Sequence, residues 1–150
     1  MTRKKTLPPT YFLVALVLTA ILHFVFPIKH LITYPYNYFL GIILLIIGIW
    51  LMAATHRLFE KNQTTIKPFE ESSLLITTGP YRFSRHPMYL ASVIILLAIS
   101  FFLGSLSSFL GPIIFLIIMD RLFIVPEEKM MTKTFGQKYL DYKRRVRRWL

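Results

Sequence analysis

An all-α, polytopic membrane protein with about four transmembrane helices is the fold class that this sequence predicts. Three observations predict it. Apolar residues make up 55% of the 150 residues and run in long unbroken stretches rather than in helical stripes. With only seven acidic residues, a water-soluble fold of this size could not cover such runs with polar groups. The 18 lysines and arginines fall almost entirely on alternate connections, as in a chain threaded repeatedly through a bilayer.

The first run, Leu7 to Ile28, follows Arg3, Lys4 and Lys5 and ends at Pro27. Its basic start resembles a signal peptide. The apolar part is long, however, and no small-x-small cleavage site follows, which predicts a retained first span. The second run, Tyr38 to about Leu58, carries Gly41 and Gly48 on one face, where small residues let helices approach closely in lipid.

Met88 to Val125 is almost continuously apolar. As one helix it would be about 57 Å long at ~1.5 Å per residue, against a hydrocarbon core of about 30 Å. Its breakers sit in the middle, "GSLSSFLGP" from Gly104 to Pro112, and predict a tight hairpin with legs Met88–Leu103 and Phe109–Val125. Four spans place both termini on one side. On that count 17 basic residues face the cytoplasm and only Lys29 faces out.

The remaining segment, "EEKMMTKTFGQKYLDYKRRVRRWL", has apolar positions at Met131, Phe135, Tyr139, Tyr142, Val146 and Trp149. Steps of three and four mark an amphipathic helix at the membrane surface, with Gly136 as a point of weakness. A single domain covering 1–150 follows, with no internal repeat. The net charge of +11 is explained by topology, so no nucleic-acid partner is expected. Without cysteines, and with His23, His30, His56 and His86 isolated from one another, no metal site is expected either.

Two stretches stand out against this background. In "GPYRFSRHPMYL", residues 79–90, Gly79-Pro80 favours a turn and Pro87 suits the first turn of the third span. Tyr81, Arg82, Arg85 and His86 then gather at a helix N-terminus, where anions are also favoured. Anchoring at the cytoplasmic interface explains the arginines, but not a histidine-proline followed by Tyr89. Glu127 and Glu128 are adjacent acids directly after the fourth span, costly there unless cations or hydroxyls satisfy them. Salt bridges to lysines of the following segment are a sufficient structural account. Asp120-Arg121 reads as a structural ion pair as readily as a functional one, and Asp120 is left out of the candidate set.

Arg85-His86-Pro87-Met88-Tyr89, then Glu127-Glu128, then Phe135-Gly136 with Tyr139 and Tyr142, resembles the isoprenylcysteine carboxyl methyltransferase and phospholipid methyltransferase superfamily. The likeness covers roughly residues 60–148, with "TTIKP" and "LLITTGPY" upstream. It implies an integral membrane enzyme that binds S-adenosylmethionine at the cytoplasmic ends of the last spans, without a Rossmann glycine fingerprint. Carried over, it implies a cofactor pocket lined by Gly79, Tyr81, Arg82, His86, Pro87, Tyr89, Glu127, Glu128 and Tyr139. Arg85, His86 and Glu128 are the catalytic candidates.

The cofactor's groups suggest the division of labour. Glu127 or Glu128 would accept from its ribose or ammonium, and Arg82 or Arg85 would pair with its carboxylate. Tyr81, Tyr89 or Tyr139 would stack on adenine or face the sulfonium. His86 would donate to the cofactor or take a proton from an amine or thiol acceptor. The expected partners are membrane lipids and a lipophilic or lipidated substrate. A carboxylate, an amine and a thiol acceptor all remain open. Two other readings compete: an NADPH-dependent membrane reductase of the sterol reductase type, and a non-catalytic membrane protein.

Overall fold

A computed structural model describes residues 7–28, 34–62 and 74–150. The basic residues Arg3, Lys4, Lys5, Lys29 and Lys67, and the "TTIKP" match, lie outside them. Among the described residues the structure is helical throughout, with no β-strand.

Helix α1, Pro8–Val25, opens with two prolines, whose missing N–H groups cost nothing in a first turn. Helix α2, Tyr36–Lys61, continues past the expected end at Leu58. Both turn large apolar side chains outward: Val14, Val17 and Phe24 on α1, and Phe39, Ile46 and Trp50 on α2 are more than half exposed. Such a surface suits hydrocarbon, not water. Among the described residues three helices are long and apolar enough to cross a membrane, Pro8–Val25, Tyr36–Lys61 and Leu106–Phe135, and Pro87–Leu103 is a shorter apolar helix.

Helix α3, Pro87–Leu103, packs along α2 over the most extensive helix contact in the molecule. Lipid removes most of the hydrophobic drive for such contacts and leaves close packing to hold them. The two glycines supply it. A Cβ on Gly48 would stand 2.6 Å from Ile95 Cγ1, and one on Gly41 would meet the Phe102 ring. On the other side Gly111 lies against Thr19 of α1 in the same manner.

Gly104 ends α3 in the left-handed region (φ 78°), its N–H bonding to the Ser100 carbonyl at 2.9 Å. A 3₁₀ turn, Leu106–Phe109, completes the expected hairpin. The second leg differs from expectation. It continues as α4, Leu110–Ile118, a π-helical turn, Met119–Ile124, and α5, Val125–Phe135. The helix therefore does not stop at Val125, and Glu127 and Glu128 lie on it rather than after it. Pro126 is accommodated because the wide turn just before it already loosens the ladder to which proline cannot donate. The break expected near Gly136 is present, with φ at +54°, and a short amphipathic helix α6, Gln137–Arg145, follows.

The core joins α1, α3 and α4 through Ala15, Val93, Leu96, Phe115, Met119 and Phe123. Trp149 packs against it from outside the helices. The residues after α6 thus fold back onto the bundle.

Candidate active site

The site forms where the start of α3, the end of the second hairpin leg and the last residues of the chain meet. Gly79, at φ +60°, admits the 3₁₀ turn Gly79–Arg82. Ser84 then fixes the entry to α3: its hydroxyl accepts from the His86 backbone N–H at 3.2 Å and donates to the Arg148 carbonyl at 3.1 Å. The Arg85 N–H bonds to the Arg147 carbonyl at 3.1 Å. Pro87, fully buried, occupies the first helical position.

Successive residues on an α-helix point about 100° apart, so the two adjacent glutamates diverge. Glu127 accepts a hydrogen bond from the Tyr89 hydroxyl at 2.6 Å and lies 3.4 Å from His86 Nδ1. Glu128, only 4% exposed, enters a cluster of cations. Arg148 donates to both of its oxygens, Nε at 3.0 Å and Nη2 at 2.9 Å. Lys143 Nζ stands 3.2 Å away, and Arg85 Nη1 2.9 Å away with its N–H directed off the line. Arg148 reaches a second carboxylate as well, Asp120 in the π-helical turn, at 3.0 and 3.3 Å. Three permanent cations thus face Glu128, and one of them also holds Asp120, which makes so much buried charge tolerable.

His86 sits between the glutamates, its Nε2 3.6 Å from Glu128 Oε1, and stacks on the Tyr89 ring at 5.9 Å. Burial alone would lower its pKa, but the two carboxylates outweigh burial and raise it. Burial pushes the Tyr81 phenol up, helped by Tyr142 and Glu127, so it remains a donor at any ordinary pH. Tyr142 donates to the Tyr81 carbonyl at 2.7 Å, tying α6 to the turn. Burial raises Tyr139 and Tyr142 likewise.

A cavity of about 450 Å³ opens beside this cluster. Tyr81, His86, Tyr89, Ser92 and Glu127 line one part, while Phe12, Met52, Phe59, Met88, Ile95 and Phe115 form apolar walls. Among the described residues that line it, Glu127 is the only permanently charged side chain. The expected site residues therefore divide. Tyr81, His86, Tyr89 and Glu127 face the cavity. Arg85, Glu128 and Tyr139 are buried in the cluster beside it. Gly79 and Pro87 shape the backbone, and Arg82 is exposed.

Lys143, Asp120, Ser84 and Arg148 were not among the candidates. Asp120 pairs with Arg148, not with its neighbour Arg121, which is exposed. The helical period gave no sign of this, because Val146 is extended (φ −120°, ψ 130°) and takes Arg148 off the α6 face. Among the described residues no group of three or more metal-ligating side chains occurs.

Residues 36–138 match the phospholipid methyltransferase family. An uncharacterised protein of Haemophilus influenzae is 43% identical over 63 residues, 42% of this chain and the whole of that relative. The fold is similar to that of a eukaryotic intramembrane Ras methyltransferase, isoprenylcysteine carboxyl methyltransferase, with a TM-score of 0.66 and 24% identity. That likeness covers 95% of this chain, which spans about half (51%) of the length of the other.

Proposed function

The chain belongs to the phospholipid methyltransferase family, and we propose that it transfers a methyl group from S-adenosylmethionine to a lipophilic or membrane-associated acceptor, a carboxylate, amine or thiol, at the cytoplasmic membrane face. The observation that carries this reading is the composition of the cavity wall: apolar on most sides, with Tyr81, His86, Tyr89 and Glu127 gathered in one part.

The residues present fit the cofactor. Glu127 supplies a carboxylate for its ammonium or ribose hydroxyls, Tyr81 and Tyr89 offer rings to adenine or sulfonium, and His86 adds a polar nitrogen. The bound cofactor would supply an electrophilic methyl group on a positively charged sulfur. Apolar walls keep water from the reacting atoms, in a setting where neutralisation of charge is favoured. Holding the acceptor in line is the protein's chief task. His86, with Glu127 at 3.4 Å, is placed to take the proton that an amine or thiol acceptor must lose, whereas a carboxylate acceptor needs no base. Arg85 and Glu128 brace this wall from behind.

The exposed basic residues Arg82, Lys129, Arg144, Arg145 and Arg147 flank the same end of the bundle, which supports a cytoplasmic orientation. Because the chain has no native cysteine, single cysteines introduced at Arg82 and Arg145 would map it by labelling. Protection of both from an outside reagent is the expected result.

Calorimetric titration of the protein in lipid nanodiscs with S-adenosylhomocysteine tests the reading, with NADPH as control. Saturable binding of S-adenosylhomocysteine that is lost in Glu127→Gln is expected. Binding of NADPH instead, or of neither compound, would overturn it.

A further inference from the structure

We propose that Arg148 is a positioning residue: by occupying both oxygens of Glu128 it holds that carboxylate back from a full hydrogen bond with His86 Nε2, which is left to bond a ligand. The inference rests on the reading of the cavity as the methyl-donor pocket. It concerns a residue beyond the segment, 36–138, that matches the family.

Three observations on different atoms carry it. The guanidinium of Arg148 engages Glu128 through two nitrogens, at 3.0 and 2.9 Å, and its third nitrogen holds Asp120 at 3.0 and 3.3 Å. A planar fork does this where a lysine ammonium would not. The chain around it is fastened separately. Arg147 and Arg148 carbonyls accept from the Arg85 N–H and the Ser84 hydroxyl, both at 3.1 Å, and Trp149 packs on the core. Finally, His86 Nε2 is buried without a hydrogen-bond partner among the described residues, although Glu128 Oε1 is only 3.6 Å away.

A buried nitrogen beside a carboxylate normally closes to a hydrogen bond, since leaving it unmade is costly. Here Glu128 is already committed to Arg148, Lys143 and Arg85. His86 therefore keeps Nδ1 toward Glu127 and leaves Nε2 buried without a hydrogen bond among the described residues, in a residue that lines the cavity. The charged and titratable groups facing His86 are Glu127 and Glu128 from α5, Tyr89 from α3, and Arg85 and Tyr81 from the preceding segment. Arg148 acts on it only through Glu128.

The test is Arg148→Met, in nanodiscs, read in two ways. The first is the titration midpoint of His86 by NMR of carbon-13-labelled histidine, assigned with His86→Gln. The second is the affinity for S-adenosylhomocysteine. The released Glu128 should close on His86, raising the midpoint by roughly half a pH unit or more. Affinity should fall on the order of tenfold as the ligand loses Nε2. The double variant Asp120→Asn/Arg148→Met removes the carboxylate that Arg148 would otherwise strand, and should show the same two changes in a better-folded protein. Arg148→Lys should recover the fold but only part of the affinity.

A midpoint that falls toward that of free imidazole would mean that the cluster has merely come apart, and would overturn the proposal. So would unchanged midpoint and affinity in both variants. If the midpoint rises while the wild-type protein binds no S-adenosylhomocysteine, the methyl-donor reading falls and the positioning role stands.

Discussion

The two ends of the α3–α4 hairpin are both polar and both buried, yet they are built differently. At the turn, Ser100, Ser105, Ser107 and Ser108 are almost wholly excluded from solvent. Every one of their hydroxyls is engaged: Ser108 donates to the Ser105 carbonyl at 2.6 Å, Ser100 to the Leu96 and Ser108 carbonyls at 3.0 Å, and Ser107 to Leu22 at 3.1 Å. Ser105 meets His23 at 2.9 Å. None of these bonds needs a permanently charged side chain. At the other end, carboxylates and guanidinium groups crowd together, Arg85 Nε and His86 Nε2 lack partners among the described residues, and a cavity adjoins them. The serine end spends its polar groups on the backbone and so fastens a turn. The charged end leaves some unmade, at a cost in stability.

Substitutions at the two ends should separate these roles. The largest effect is expected for Glu128→Ala, which strands Arg85, Lys143 and Arg148 around an empty place. Breaking a buried pair of this kind costs about 3–5 kcal/mol, visible as a marked fall in thermal unfolding temperature in detergent. Glu127→Gln should do the reverse. It should leave unfolding nearly unchanged while weakening S-adenosylhomocysteine binding roughly ten- to a hundredfold, the worth of a charge-assisted hydrogen bond. If Glu127→Gln destabilised as much as Glu128→Ala, the division between the two acids would collapse.

Ser108→Ala at the turn should cost about 1 kcal/mol of stability and leave ligand binding alone. A loss of binding there would show that the two ends are coupled. The smallest effect concerns pH. His86 has a folded pKa raised above the ordinary 6.5, so protonated His86 contributes stability in full below about pH 6.5, and that contribution is lost as pH rises through the higher folded value. Unfolding temperatures of the wild-type protein should therefore decline gently as pH rises above about 6.5, and His86→Gln should flatten that decline.

Much of this contrast was legible in the sequence. The apolar runs gave the helices, Gly104 to Pro112 gave the hairpin, and Gly136 gave the break before α6, because each rests on local chemistry. The likeness around Arg85–Tyr89 and Glu127-Glu128 picked out residues that the structure brings together. What was not legible depends on contacts distant along the chain. Arg148 meets Glu128 and Asp120 only because the backbone after α6 is extended and folds back. The opposite facing of Glu127 and Glu128 follows from helix geometry, but only once the helix is known to continue past Pro126. A charge count assigns every arginine to the membrane surface. Arg85, 9% exposed, is instead internal to the site.

The π-helical turn at Met119–Ile124 sets the phase of everything downstream. It works like an adjustable thread between the membrane-embedded helix and the charged end. A π-helical turn holds about one residue more than the α-helical turn it replaces. Closing it to regular α-helix without shortening the chain would turn α5 by one position, about 100° of rotation. Glu127 would then arrive among Arg85, Lys143 and Arg148 where Glu128 stood, and Pro126 would take the place of Glu127 at the cavity wall. A single-codon deletion within the turn would instead close it and leave α5 in phase. The placement of the two acids is in that sense written in register as much as in residues.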